Sequence, residues 1–126
     1  MLPCTNLKQS RQLLELGINP STADWRLQVH KIGENIEIVP KFSFTNEFYM
    51  ARPGEFPSWS INSLLALLSE LTTSHFEFFM IISDGNYHVG YKFVGETEPI
   101  IEKVREDVYE ALIELIEFLT SIGKLV

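Results

Sequence analysis

The chain is 126 residues long, 45% hydrophobic and 21% charged, which fits one ordinary globular domain and excludes wholesale disorder. Ten basic residues against seventeen acidic ones leave a net charge of −7, which argues against sequence-independent nucleic-acid binding, since that depends on Lys and Arg displacing counterions from phosphate. A single cysteine, Cys4, excludes an internal disulfide, and nine Phe, four Tyr and two Trp are enough to fill a core without covalent staples.

The N-terminal "MLPCTNLKQ" has no basic segment followed by an apolar one, so no secretory signal is expected and the cytoplasm is the expected setting. No apolar run exceeds the five residues of Phe78 to Ile82, far short of the roughly 20 needed to span a bilayer, so no membrane partner is expected. Cys4 precedes the first helix cap, in a stretch expected to fray.

Asn6 and Gln9 form a capping-box pattern, Leu7, Leu13, Leu14 and Leu16 give an apolar side, and Gly17 supplies a left-handed stop. These predict the first helix, followed by one short helical turn opened by Pro20. From Trp25 the period changes to two. Trp25, Leu27 and Val29 alternate with Arg26, Gln28 and His30, and Ile36 and Ile38 follow beyond the turn residues Gly33 to Asn35. This is a hairpin whose second strand either stops near Pro40 or runs on as an edge. Residues 42–57 keep neither period and are expected to form an aromatic-rich loop. "SWSINSLLALLSEL" then predicts a broadly apolar helix capped by Ser58 or Ser60.

Asp84-Gly85 joins two β-rich runs and fixes a hairpin register. Ser83 faces Asn86, Ile82 faces Tyr87, Met80 faces Val89, Phe78 faces Tyr91 and Phe76 faces Phe93, all the apolar pairs on one core face. On the other face Glu77 meets Lys92, and Phe79 covers Gly90. The last segment, 98–122, repeats apolar residues at three- and four-residue steps and predicts one long helix capped by Thr97 and ended by Gly123. The expectation is a single α+β domain over residues 1–126. It has one four-stranded antiparallel sheet built from two hairpins, helices on one face, and the order α-β-β-α-β-β-α.

"SRQLLELGINPSTADW", "PSWSINSLLALL" and "EPIIEKVREDVYEALIELIEFL" resemble a family of small uncharacterised proteins found in phage-derived and mobile-element gene sets of gut anaerobes. The resemblance implies a cytoplasmic α+β domain with an accessory function, and it brings no catalytic residues.

No catalytic chemistry is legible. His30, His75 and His88 have no second His or Cys at ligand spacing, so neither a metal nor another cofactor is expected. The glycines open no phosphate loop and there is no "GxSxG", so the chain reads as a non-enzyme. The candidate sites are two. Phe42, Phe44, Phe48, Tyr49, Phe56 and Trp59 could line a pocket or an anchor patch, or could seal the sheet. Glu102, Glu106, Glu110 and Glu114, spaced by four, form a possible acidic helix face. Such a face is either solvated or a decoy for nucleic-acid phosphates. The expected function is therefore an accessory or interaction protein that binds a protein partner or itself as a homo-oligomer, the alternative being a small-molecule-binding domain using the 42–59 loop.

Overall fold

The computed structural model describes residues 2–42, 54–70 and 75–124, and their contacts gather into two units, Met1–Ser63 and Leu64–Val126. The first holds helix α1 (Leu7–Glu15), a 3-10 turn (Pro20–Thr22) and strands β1 (Trp25–Ile32), β2 (Asn35–Phe42) and β3 (Glu55–Ser58). Helix α2 (Ile61–Ser69) runs from the end of the first unit into the second. Strands β4 (Phe76–Ser83), β5 (Asn86–Phe93) and β6 (Pro99–Arg105) and helix α3 (Val108–Ser121) complete the chain.

The class is α+β with antiparallel sheets, but the expected four-stranded sheet is instead two three-stranded ones, ordered β2-β1-β3 and β4-β5-β6. Two segments supply the additional strands. Glu55–Ser58, read as loop, is a strand whose four residues pair with Trp25–Gln28 of β1. It is too short for a period to show, and Pro57 is tolerated because β3 lies at an edge. Pro99–Arg105, read as the start of a long helix, is β6. The β-branched Ile100, Ile101 and Val104 suit a strand, and the side of β5 away from β4 needs hydrogen-bond partners. Thr97 therefore caps nothing. Asp107 is the N-cap, its Oδ1 accepting from the Tyr109 N–H at 2.8 Å.

Other local expectations hold in detail. The α1 capping box has both bonds, Gln9 N–H to Asn6 Oδ1 at 2.8 Å and Asn6 N–H to Gln9 Oε1 at 3.0 Å. Gly17 takes φ 88° to end the helix, with the Ile18 N–H reaching back to the Leu13 carbonyl at 3.1 Å. Ser60 caps α2, its Oγ accepting from the Ser63 N–H at 3.1 Å, while Asp24 fixes Ser60 through both its backbone N–H and its hydroxyl. β2 runs through Pro40 as an edge.

The β4–β5 register is the one expected at every pair, from Ser83–Asn86 at the turn to Phe76–Phe93 at the far end. Asp84 and Gly85 have φ 53° and 77°, the primed turn that matches strand twist. The burial of that face is only partly as expected. Val89 and Tyr91 are buried, Phe78 and Phe79 are both half-buried, and Phe76, Met80, Ile82 and Phe93 are exposed. The reason is width. A helix of about 10–12 Å covers about two strands spaced 4.7–4.9 Å apart, and α3 lies on β5 and β6. In α3 itself Leu112, Leu115 and Ile116 have no exposure, each such side chain contributing about 1.5–3 kcal/mol.

Candidate functional site

At the C-terminal end of α3 the second unit opens into a groove of about 350 Å³. β5 supplies Tyr91 as its floor. β6 supplies Ile100 and Ile101, β4 contributes Phe76, and α3 brings Phe118 and Leu119, with Ile122 just beyond its last turn. Glu70 and Lys124 stand at the rim.

A bulge makes this lining possible. Tyr91 pairs with Ile101 and Lys92 with Pro99, so Ile100 is an extra residue on β6. Successive strand residues normally point to opposite faces, whereas a bulge re-aims one of them. Ile100 and Ile101 consequently both reach the groove. The same region holds Gly90, which faces Glu102 across the pair; a Cβ on Gly90 would lie 1.9 Å from the Ile101 carbonyl oxygen. Only a glycine lets β6 approach β5 this closely.

The groove is apolar in its chemistry. The Tyr91 hydroxyl donates to the Leu68 carbonyl at 2.5 Å and so is already committed. Burial pushes the Tyr91 phenol up, which keeps it neutral. On α3, Phe118 also has the Lys103 ammonium 5.8 Å from its ring centroid. Phe93, Ile100 and Ile122 are 49%, 49% and 51% exposed, and Phe76 stacks at a tilt on Phe93 with centroids 5.1 Å apart. The surface is thus a concave apolar site with charge at its margin.

The residues singled out from the sequence are dispersed. Trp59 has no exposure, and its Nε1–H donates to Thr22 Oγ1 at 2.9 Å, so it is core. Phe56 lies in β3 with the Arg11 guanidinium 5.2 Å from its ring centroid. Phe42 ends β2, 48% exposed, edge-on to Trp25 at 5.6 Å. Phe44, Phe48 and Tyr49 lie outside the described residues. The acidic series does not form one helix face: Glu102 is on β6, 3.6 Å from His88 Nδ1, and Glu106 is exposed before the cap. Glu110 sits in the first turn of α3, where it favours the helix dipole, and Glu114 pairs with Arg105 at 2.6 Å. The groove is hidden in the sequence because 98–122 reads as one long helix, with Ile101, Leu119 and Ile122 on its apolar stripe. The signal available was Pro99 followed by β-branched residues, with Asp107 as a later cap.

Cys4 is not in a frayed segment but is 1% exposed, beside a buried polar node. The Ser58 hydroxyl donates to the Thr5 carbonyl at 2.7 Å, and Thr5 Oγ1 accepts from the Trp59 N–H at 3.1 Å. The same Thr5 oxygen lies 2.9 Å from Ser58 Oγ and 2.7 Å from Ser10 Oγ. These bonds tie the entry of α1 to the end of β3. Burial pushes the Cys4 thiol up, a hydrogen bond with Ser58 opposes that, and the Asp24 charge adds to it. A thiol so held is a poor nucleophile.

Among the described residues no group of three or more His, Cys, Asp or Glu could hold a metal ion, and no helix is long and apolar enough to cross a membrane. No family model matches the chain, and comparison with curated proteins and with solved structures returns no significant match.

Proposed function

We propose that the chain is a small accessory protein that binds a protein partner, taking one or two of the partner's apolar side chains into the groove at the end of α3. The observation that carries this reading is the groove's composition: about 350 Å³ lined by Ile100, Ile101, Phe118, Leu119 and Ile122, over a tyrosine whose hydroxyl is already bonded. Concave apolar sites with a charged rim are where aromatic and aliphatic anchors dock. The cytoplasmic setting and the phage-like, mobile-element resemblance belong to the same proposal. A second reading, a small-molecule site, draws support from the volume, which falls within the roughly 300–1,000 Å³ of ligand pockets. It moves from the 42–59 loop to this groove, where the polar groups of the lining are the committed Tyr91 hydroxyl and the rim charges of Glu70 and Lys124.

The test is selection of a displayed peptide library on the purified protein. Enriched peptides should share a Leu, Phe or Trp anchor and should lose binding by about tenfold or more to Ile122→Glu, a change at an exposed rim position. Peptides without an apolar anchor, or binding that survives both Ile122→Glu and Ile100→Glu, would count against the proposal.

A further inference from the structure

A sheet's edge strand shows a row of unpaired N–H and C=O groups, which proteins guard with Lys, Pro, bulges or short length. Three of the edge strands carry such guards. β2 has Pro40 and Lys41, β3 is a short strand with Pro57, and β6 has Pro99, the bulge at Ile100 and the charges of Glu102, Lys103 and Arg105. β4 is different. From Phe78 to Ile82 it reads Phe-Phe-Met-Ile-Ile, with no charge, proline or glycine. Among the described residues it pairs on one side only, with β5. Met80, Ile81 and Ile82 are 38%, 57% and 66% exposed, so apolar surface lies open on both faces of this edge.

The direction of the backbone groups follows from the hairpin. In a two-residue primed turn the flanking pair, here Ser83 and Asn86, exchanges both hydrogen bonds, and bonded pairs then alternate. The same parity holds at the far end, where the Val94 N–H donates to the His75 carbonyl at 2.9 Å. Odd-numbered residues of β4 therefore bond to β5. The N–H and C=O groups of Phe78, Met80 and Ile82 point away from it, toward the free edge.

We infer that this edge joins two copies of the chain: β4 of a second copy adds antiparallel across a two-fold axis at Met80, merging two three-stranded sheets into one. A two-fold axis perpendicular to the sheet requires one residue to face itself, and a centre at Met80 aligns the outward groups. Phe78, Met80 and Ile82 then meet Ile82, Met80 and Phe78 of the second copy, with a donor opposite each acceptor. On the two faces Phe78 lies opposite Ile82 and Phe79 opposite Ile81, the aromatic and β-branched pairs that stabilise ladders. Charge selects the same arrangement. Glu77 falls opposite Ser83 of the second copy, and its own charge is met by Lys92 at 3.2 Å. A parallel, in-register pairing would instead bring the two Glu77 carboxylates side by side. The guarded β6 at each outer edge closes the assembly at two copies. The inference does not depend on the groove, and the two surfaces respond to different substitutions.

The test combines sedimentation of the full chain, from micromolar to several hundred micromolar, with residue-resolved amide exchange. The wild type should form dimers with rising concentration, and the Phe78, Met80 and Ile82 amides should slow their exchange in step. Ile82→Lys, at a two-thirds exposed position, should weaken the dimer by about tenfold or more while leaving circular dichroism unchanged. Ile81→Lys should do the same from the opposite face. Several results would overturn the inference: a wild type that stays monomeric throughout, or dimers whose Phe78, Met80 and Ile82 amides exchange as freely as in Ile82→Lys. Dimers untouched by both lysines, or lost in Ile122→Glu instead, would overturn it as well. Protection of these amides only when a strand-forming peptide is added to a monomer would assign the edge to a foreign partner rather than a second copy.

Discussion

Replacing Gly90 with alanine adds one methyl group at the closest approach of β5 and β6. The new Cβ would stand 1.9 Å from the Ile101 carbonyl oxygen, 2.9 Å from its carbonyl carbon and 3.1 Å from the Glu102 Cα, all backbone atoms. No rotamer can relieve such a contact, so β6 must retreat by more than an ångström. That displacement breaks the ladder bonds near Gly90–Glu102 and Tyr91–Ile101, at about 0.5–1.5 kcal/mol each. Overpacking strain adds about 1–3 kcal/mol. Alanine's lower conformational entropy in the unfolded chain offsets about 0.5–1 kcal/mol of this. The net expectation is a loss of about 2–4 kcal/mol, read as a shift of the urea midpoint and as a fall in Tm of the order of 10 °C. Because the Ile100 bulge moves with β6, the peptides selected on the groove should also bind more weakly. A Gly90→Ala protein as stable as the wild type would refute both the close approach and the account of the bulge that depends on it.

Three further outcomes follow from the same packing. Thr5→Val keeps the side chain's shape but takes a hydrogen-bond partner from the Trp59 N–H and from the hydroxyls of Ser10 and Ser58, and should cost about 2–4 kcal/mol in urea denaturation. Cys4 should react with a thiol reagent only at the rate of unfolding, since it is buried and its thiol is pushed up; fast stoichiometric labelling of folded protein would contradict this. Tyr91 should make stability fall in alkali. Its unfolded phenol releases a proton near pH 10 while the folded one holds it, so above that pH the unfolded state binds fewer protons and stability drops by up to about 1.4 kcal/mol per pH unit. Tyr91→Phe should flatten that alkaline slope, at the expense of an unpaired Leu68 carbonyl at neutral pH.

What was legible in the sequence was local. Asn6, Gln9 and Gly17 announced α1 because caps depend on a few adjacent residues, and Asp84-Gly85 fixed the β4–β5 register because a two-residue turn leaves one choice of pairing. What was not legible depended on partners far along the chain. Pro99–Arg105 can satisfy a helical period on paper, yet it pairs with β5, which needed a second neighbour and had a glycine at the point of approach. That single exchange of helix for strand also dissolved the acidic stripe, since Glu102 moved to a sheet and Glu114 to an ion pair. Trp59 and Phe56 stand out in the sequence by their chemistry alone, whereas their surroundings come from distant residues, Thr22 bonded to the Trp59 indole and Arg11 over the Phe56 ring. The groove joins four elements, and no contiguous stretch of sequence contains it.

The central claim is that the end of α3 is the binding surface, and isoleucine methyl NMR tests it most directly. With the isoleucine δ1 methyls labelled and a selected peptide added, Ile100, Ile101 and Ile122 should shift, while Ile32, Ile36 and Ile38 on the exposed hairpin of the first unit should not. Shifts confined to Ile32, Ile36 and Ile38, with the groove methyls unmoved at saturation, would contradict it.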